Sequence, residues 1–281
     1  MPPDRPPPDA PPPAAPPPAA GGYLLGGDLP ATRRRLDALR ALFDPWTLWH
    51  LAERGVGTGW RCWEVGAGGT SVVEWLAARV GAGGRVLATD IDTAALAAAA
   101  TGPVEVRRHD VVADAPPDEV FDLVHARLVL VHLADRSAAL ATMADVLAPG
   151  GWLVVEDADP ALQPLACLDD TGADAALANR VRAGFRTLLA ARGVDLAFGR
   201  TLPRRLRSLG LLDVGADAYV ALSHPACAPL ERATIEMIRP QLVDNGIAGD
   251  AEIDRLLAAV DAGRVELVQP PLVTAWGRRA R

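Results

Sequence analysis

From Arg61 to Asp157, short apolar runs alternate with helical patterns, and a chain with that rhythm has few folds open to it. The runs at 61–65, 84–90, 104–110, 121–126 and 152–157 each carry valine and read as strands. Between them, 71–80 and 93–100 read as helices. A further helix shows Leu140, Met143, Val146 and Leu147 at helical intervals before Pro149-Gly150-Gly151 ends it. Further on, 174–192 reads as a long helix and 211–222 and 271–276 as strands, with two amphipathic helices between those strands. Strand and helix alternating in this way build right-handed βαβ units. The expected fold is therefore α/β, a doubly wound, mostly parallel seven-stranded sheet, with the inserted helices at 224–263 as a cap.

The flanks of this pattern set the expected domain limits. Residues 1–22 hold eleven of the 25 prolines and no apolar periodicity, and read as a disordered tail. The domain is expected to span 23–281, with a helical lid at 23–58, a cofactor core at 59–160, and the remaining strands and cap at 161–281. Within the lid, apolar spacing over 30–54 suggests two helices broken near Asp44 and Pro45. All 28 basic residues of the 281 are arginine. That excludes a lysine Schiff base, a Walker-type phosphate loop and a lysine nucleophile. The net charge of −7 disfavours nucleic acid and anionic membranes as partners. Cys62, Cys167 and Cys227 stand far apart, outside any CxxC spacing, which suits a reducing compartment. No signal peptide and no run of 18 apolar residues is found, so a soluble cytoplasmic protein is expected.

Parallel α/β sheets bind ligands beyond the carboxyl ends of their strands, so the chemistry should lie there. The first strand ends in Glu64-Val65-Gly66-Ala67-Gly68-Gly69-Thr70. Gly66 and Gly68 permit a tight turn and a close approach of ligand to backbone. Asp90 closes the second strand, where a carboxylate can accept the hydroxyl hydrogens of a ribose. Asp110 ends the third, where an acceptor would meet an adenine amino group.

These residues resemble the class I S-adenosylmethionine-dependent methyltransferases. The E-x-G-x-G of 64–68 matches the family's first motif, Asp90 its ribose-binding acid and Asp110 its adenine-side acid. Phe121-Asp122-Leu123-Val124-His125-Ala126-Arg127 is similar to its fourth strand, and Pro149-Gly150-Gly151 to its turn before the fifth. Thr70 replaces the third glycine, and its hydroxyl is expected to cap the following helix. The resemblance implies S-adenosylmethionine as cofactor, S-adenosylhomocysteine as product, and cofactor contacts at Tyr23, Glu64, Gly66, Ala67, Gly68, Asp90, Ile91, Asp110, Val111, Ala126 and Arg127. An NAD(P)-dependent oxidoreductase is the competing enzyme. It would need glycine where Ser71 stands, and Glu64 would repel its pyrophosphate while suiting a sulfonium and an ammonium. A non-catalytic S-adenosylmethionine-binding interaction module is the other alternative.

The stretch from Ala126 to Leu133 also resembles phosphobase methyltransferases, in which a histidine pairs with a tyrosine of an N-terminal lid. Tyr23 and His132 are accordingly the expected catalytic latch, orienting or deprotonating the acceptor. Glu156 is expected in the wall of the acceptor pocket with His132. Glu156, Asp157 and Asp159 could together bind a divalent ion, but no metal is assigned. Nucleic-acid amino-methyltransferases of this fold carry N/D-P-P-Y/F where this chain has Ala126-Arg127-Leu128-Val129, which leaves a small molecule methylated on O, N or C. Trp46, Trp49 and Phe185 suit a flat or apolar acceptor. The Arg- and Ala-rich composition resembles actinobacterial methyltransferases of secondary metabolism. A homodimer is left open.

Overall fold

A computed structural model describes residues 24–25, 29–168 and 172–281. The strands are β1 (Arg61–Val65), β2 (Arg85–Asp90), β3 (Val104–Arg108), β4 (Phe121–Arg127), β5 (Leu147–Ala158), β6 (Leu212–Tyr219) and β7 (Leu272–Arg278). They form one sheet in the order β3-β2-β1-β4-β5-β7-β6. Every pairing from β3 across to β5 is parallel, whereas β7 runs antiparallel to both neighbours. The order reverses beside β1, so the carboxyl ends of β1 and β4 flank the crevice in which such sheets bind ligands.

The helices are α1 (Leu29–Glu53), α2 (Ser71–Val80), α3 (Arg136–Asp145), α4 (Ala173–Ala190), α5 (Leu202–Ser208), α6 (Cys227–Asp244) and α7 (Asp250–Asp261). On one sheet face, α3 and α5 cover Trp63, Val124, Leu153 and Ala275. On the other, α2 and the end of α1 cover Cys62, Val86, Leu123 and Val154. A third apolar cluster packs α6 and α7, the helices expected as a cap, against α1 and α4. Its logic is visible in α7, where Ile253, Leu256, Leu257 and Val260 are buried at the spacing of one helical stripe. Each such side chain contributes about 1.5–3 kcal/mol of transfer free energy. Among the described residues, no helix is long and apolar enough to cross a membrane.

Three expectations are corrected. The helix expected to run to Pro149-Gly150-Gly151 stops at Asp145, and Leu147 already opens β5, which carries residues 149–151. Residues 93–100 form only a turn and the short 3₁₀ segment Ala97–Ala99. Leu96 and Ala99 are the only side chains there that reach the core, too narrow a stripe to hold a helix of low nucleation probability. The lid helix is a single element: α1 runs unbroken through Pro45. The residues on both sides of the proline are fastened to the sheet, as the site geometry shows.

Candidate functional site

The loop after β1 is built on two left-handed glycines, Gly66 and Gly68, each at φ +61°. The Ala67 N–H donates to the Thr89 carbonyl (3.0 Å), and the Gly68 N–H donates to Asp90 Oδ2 (2.9 Å). Asp90 Oδ1 accepts the Asp92 N–H (3.0 Å). A Cβ on Gly66 would stand 2.4 Å from Val129 Cγ2, and one on Gly68 would stand 3.6 Å from Leu36 Cδ2. The loop is therefore a floor beneath α1 and beside the residues that follow β4, and glycine at 66 is required by both space and backbone. Thr70 does not cap α2 through its hydroxyl. Its own dihedrals are helical, which turns the side chain away from the amides it was expected to reach.

The ends of β2 and β3 stay paired, Asp90 opposite Arg108, and the exposed edge just beyond them is the candidate slot. Ile91 is 64% exposed and Val112 38%, large apolar side chains presented to solvent beside two carboxylates. Asp110 Oδ1 accepts the N–H groups of Val112 and Ala113 (2.9 and 3.2 Å), while the Val111 side chain turns into the core. Each Asp90 oxygen accepts one backbone hydrogen bond and keeps a second lone pair. A vicinal diol against Asp90 with a flat heterocycle on Ile91 and Val112 fits this arrangement, and an adenosine group has both parts.

Behind the loop lies a buried chain of charges. Glu64, His125 and Glu156 stand on β1, β4 and β5, on the sheet face that α1 covers, and all three are at most 2% exposed. His125 Nδ1 donates to Glu64 Oε2 (2.6 Å), and its Nε2 lies 3.4 Å from Glu156 Oε2. Burial pulls the His125 pKa down, but the two carboxylates outweigh it and raise it to about 9, so the ring is an imidazolium at neutral pH. Burial pushes the Glu156 pKa up, and contacts with His125, Arg127 and Thr274 more than reverse this. Both Glu156 oxygens are taken. Thr47 Oγ1 donates to one (2.5 Å) and Thr274 Oγ1 to the other (2.6 Å). Thr47 in turn accepts from Arg127 Nη1 (2.9 Å), Thr274 accepts from Trp46 Nε1 (2.9 Å), and Arg127 Nη2 holds Asp44 Oδ1 (2.9 Å). Asp44, Trp46 and Thr47 thus pin α1 on both sides of Pro45.

On the opposite face, Asp157 is fully buried and Oδ2 accepts the Val131 N–H (3.0 Å), fixing the turn Leu130–His132. Burial raises its pKa to about 7. His132, partly buried at the end of that turn, is pushed down to about 4 by burial and by the charges of Arg35 and Arg136. It is neutral at pH 7.

The expected site residues therefore separate. Gly66, Ala67, Gly68, Asp90, Ile91 and Asp110 lie together around the loop and slot. Tyr23 lies outside the described residues. Ala126 is buried against α3, and the Arg127 side chain is committed to α1, so neither offers a side chain to the slot. Glu156 is not a pocket wall: its two engaged oxygens tie α1 to the sheet. Asp159 is held by Arg200, Asp157 by backbone amides and Glu156 by threonines, so the three carboxylates point to three different partners. His125 stands inside the 121–127 stretch but was not singled out within it, and Thr47 and Thr274 were not expected to matter. A surface hollow lined by Ala77, Gly81, Arg85 and Glu105 lies at the amino ends of β2 and β3, the wrong end of a parallel sheet for its ligand.

Residues 63–155 match the methyltransferase-domain family. This methyltransferase-domain match begins in β1, ends in β5 and takes in the glycine loop, Asp90, Asp110 and His132. A curated relative, methyltransferase str3 of Strobilurus tenacellus, is 34% identical over 125 residues, 41% of this chain and 42% of its own length. Methyltransferase str2 of the same fungus is 51% identical over 39 residues, 14% of each chain. The chain thus spans less than half the length of these curated relatives. Among solved structures, YcgJ of Bacillus subtilis aligns with a TM-score of 0.53 at 13% identity, covering 83% of this chain and 97% of that one. A Bacillus halodurans C-125 protein described as a candidate methyltransferase aligns at 0.52 and 18% identity, covering 82% and 97%. The fold is the Rossmann-like fold of methyltransferases.

Proposed function

We propose that the chain is an S-adenosylmethionine-dependent methyltransferase that acts on an O, N or C atom of a small molecule. One observation carries the reading: the left-handed Gly66–Gly68 loop is tied by its own amide to Asp90, within the residues that match a methyltransferase domain. Bound there, S-adenosylmethionine supplies an electrophilic methyl group on a sulfonium. Asp90 accepts the ribose hydroxyls, Ile91 and Val112 pack on the adenine, and the free oxygen of Asp110 accepts its amino group. Two buried carboxylates share one imidazolium behind the loop, so the strand ends are anionic. That sign attracts a sulfonium and an ammonium, and it opposes the pyrophosphate of a nicotinamide cofactor.

His132 is neutral and therefore able to accept a hydrogen bond or a proton from the acceptor. It stands on a turn braced by Asp157, with Arg35 of α1 close enough to lower its pKa. Its proposed partner in closing the site is Tyr23. The layer of α1, α4, α6 and α7 shields the reacting atoms from water. A small-molecule acceptor is supported by Ala126-Arg127-Leu128-Val129 in place of a base-gripping motif. Secondary metabolism is the finer proposal, and the curated relatives come from a fungus rather than an actinobacterium.

Calorimetry with S-adenosylmethionine, S-adenosylhomocysteine and NADH tests the reading. Micromolar binding of the first two and none of the third is expected. Binding of NADH alone would overturn it. Cofactor binding without methyl transfer to any of a panel of small molecules would leave a binding module in its place.

A further inference from the structure

Burying an imidazolium and two carboxylates under a helix costs several kcal/mol of desolvation, which valine or leucine at the same positions would avoid. The expense makes sense if the charges connect two things that must move together. One end of the chain is Glu64, two residues ahead of Gly66 and fixed by His125 Nδ1. The other end is Glu156, which accepts the Thr47 hydroxyl from the carboxyl-terminal half of α1. The same helix lays Leu36 over Gly68, and Leu36 and Thr47 are eleven residues apart, about 16 Å along the axis. Helix α1 therefore meets the loop twice: directly at its amino-terminal half, and through three buried side chains at its carboxyl-terminal half. All four participants, Thr47 included, are at most 2% exposed, so water cannot stand in for a missing member.

We propose that Glu64, His125 and Glu156 form a relay through which the docking of α1 at Thr47 sets the position of the Gly66–Gly68 loop, making His125 a positioning residue for cofactor binding. The proposal rests on the methyltransferase reading for its ligand, but not for its geometry. His125 touches neither the loop nor the slot; it acts through Glu64. Asparagine at 125 can place an amide N–H where Nδ1 stands and so keep Glu64, but it is too short to face Glu156. Thr47→Val keeps the shape of the α1 contact and removes the hydroxyl.

The test is a double-mutant cycle on S-adenosylhomocysteine affinity, measured by calorimetry on the full chain, with circular dichroism as the check on folding. Thr47→Val should weaken binding about fivefold and His125→Asn about tenfold, and the double variant should also sit near tenfold, because a chain already broken is not broken again. A double variant near fiftyfold, or wild-type affinity in a folded His125→Asn protein, overturns the relay. Amide hydrogen exchange without ligand gives a second readout at Ala67 and Gly68, whose N–H groups are bonded to Thr89 and Asp90. Faster exchange there in Thr47→Val supports the coupling, and unchanged exchange overturns it, even if His125→Asn fails to fold. If the wild-type protein binds no S-adenosylhomocysteine, the methyltransferase reading falls while the exchange result still judges the relay.

Discussion

Asp90 accepts the Gly68 amide, and in the proposed function its remaining lone pairs receive the ribose hydroxyls. Asp90→Ala should weaken S-adenosylmethionine binding by about 1–3 kcal/mol, the cost of losing hydrogen bonds to a charged group, as read by calorimetry. Unchanged affinity would remove the ribose assignment. His132 is neutral down to about pH 4, so kcat/KM should show no His132 titration near neutrality and should fall only as pH approaches about 4. His132→Ala should lower kcat and leave cofactor affinity nearly intact; an equal loss in both would assign it a structural role. Gly66, Gly68 and Asp90 were legible in the sequence because a backbone at φ +61° and a carboxylate at a strand end each leave a residue-type signature. Glu64 was legible as a residue but not in its engagement. Its partner lies 61 positions away, and only the register of β1 on β4 brings Glu64 opposite His125.

At the level of elements, α1 shows where local propensity gives way to tertiary contact. Pro45 removes one amide from the helical ladder, and spacing alone argued for a break there. Asp44 on Arg127, Trp46 on Thr274 and Thr47 on Glu156 keep the helix continuous through it. Pro45 is exposed and carries none of those contacts. Pro45→Ala should therefore stabilise the protein by about 1–3 kcal/mol and raise its melting temperature. A lower melting temperature would mean that the proline shapes the docking. The opposite failure occurred at 93–100, where an alanine-rich run promised a helix and the core offered it only two anchors. Strands β1, β2, β4 and β5 were legible because burial on both faces favours apolar runs, whereas the fastening of α1 depends on polar side chains brought together from four parts of the chain.

Across the molecule, pH acts on stability through groups of opposite sign. His125 is raised from 6.5 to about 9, so its contribution is complete below pH 6.5 and is lost as pH rises through 9. His132 and His50 are lowered by burial, so their contribution is present above pH 6.5 and fades as pH falls. Asp157, raised from 3.8 to about 7, loses stability over that rising interval and partly offsets the histidines on the acid side. The alkaline flank is therefore the informative one. Melting temperature should decline between pH 6.5 and about 9, and the decline should flatten in His125→Asn; a flank of equal slope in both proteins would take the charge away from His125. The order of the strands has one more consequence, for the chain as it is being made. β7 lies between β5 and β6 in the sheet but follows both in synthesis, with α6 and α7 translated in between. A nascent chain that has released β6 has no neighbour to give it, so sheet completion waits for the whole cap to emerge. Ribosome-stalled chains ending before Leu272 should resist protease across β1–β5 and be cut in β6.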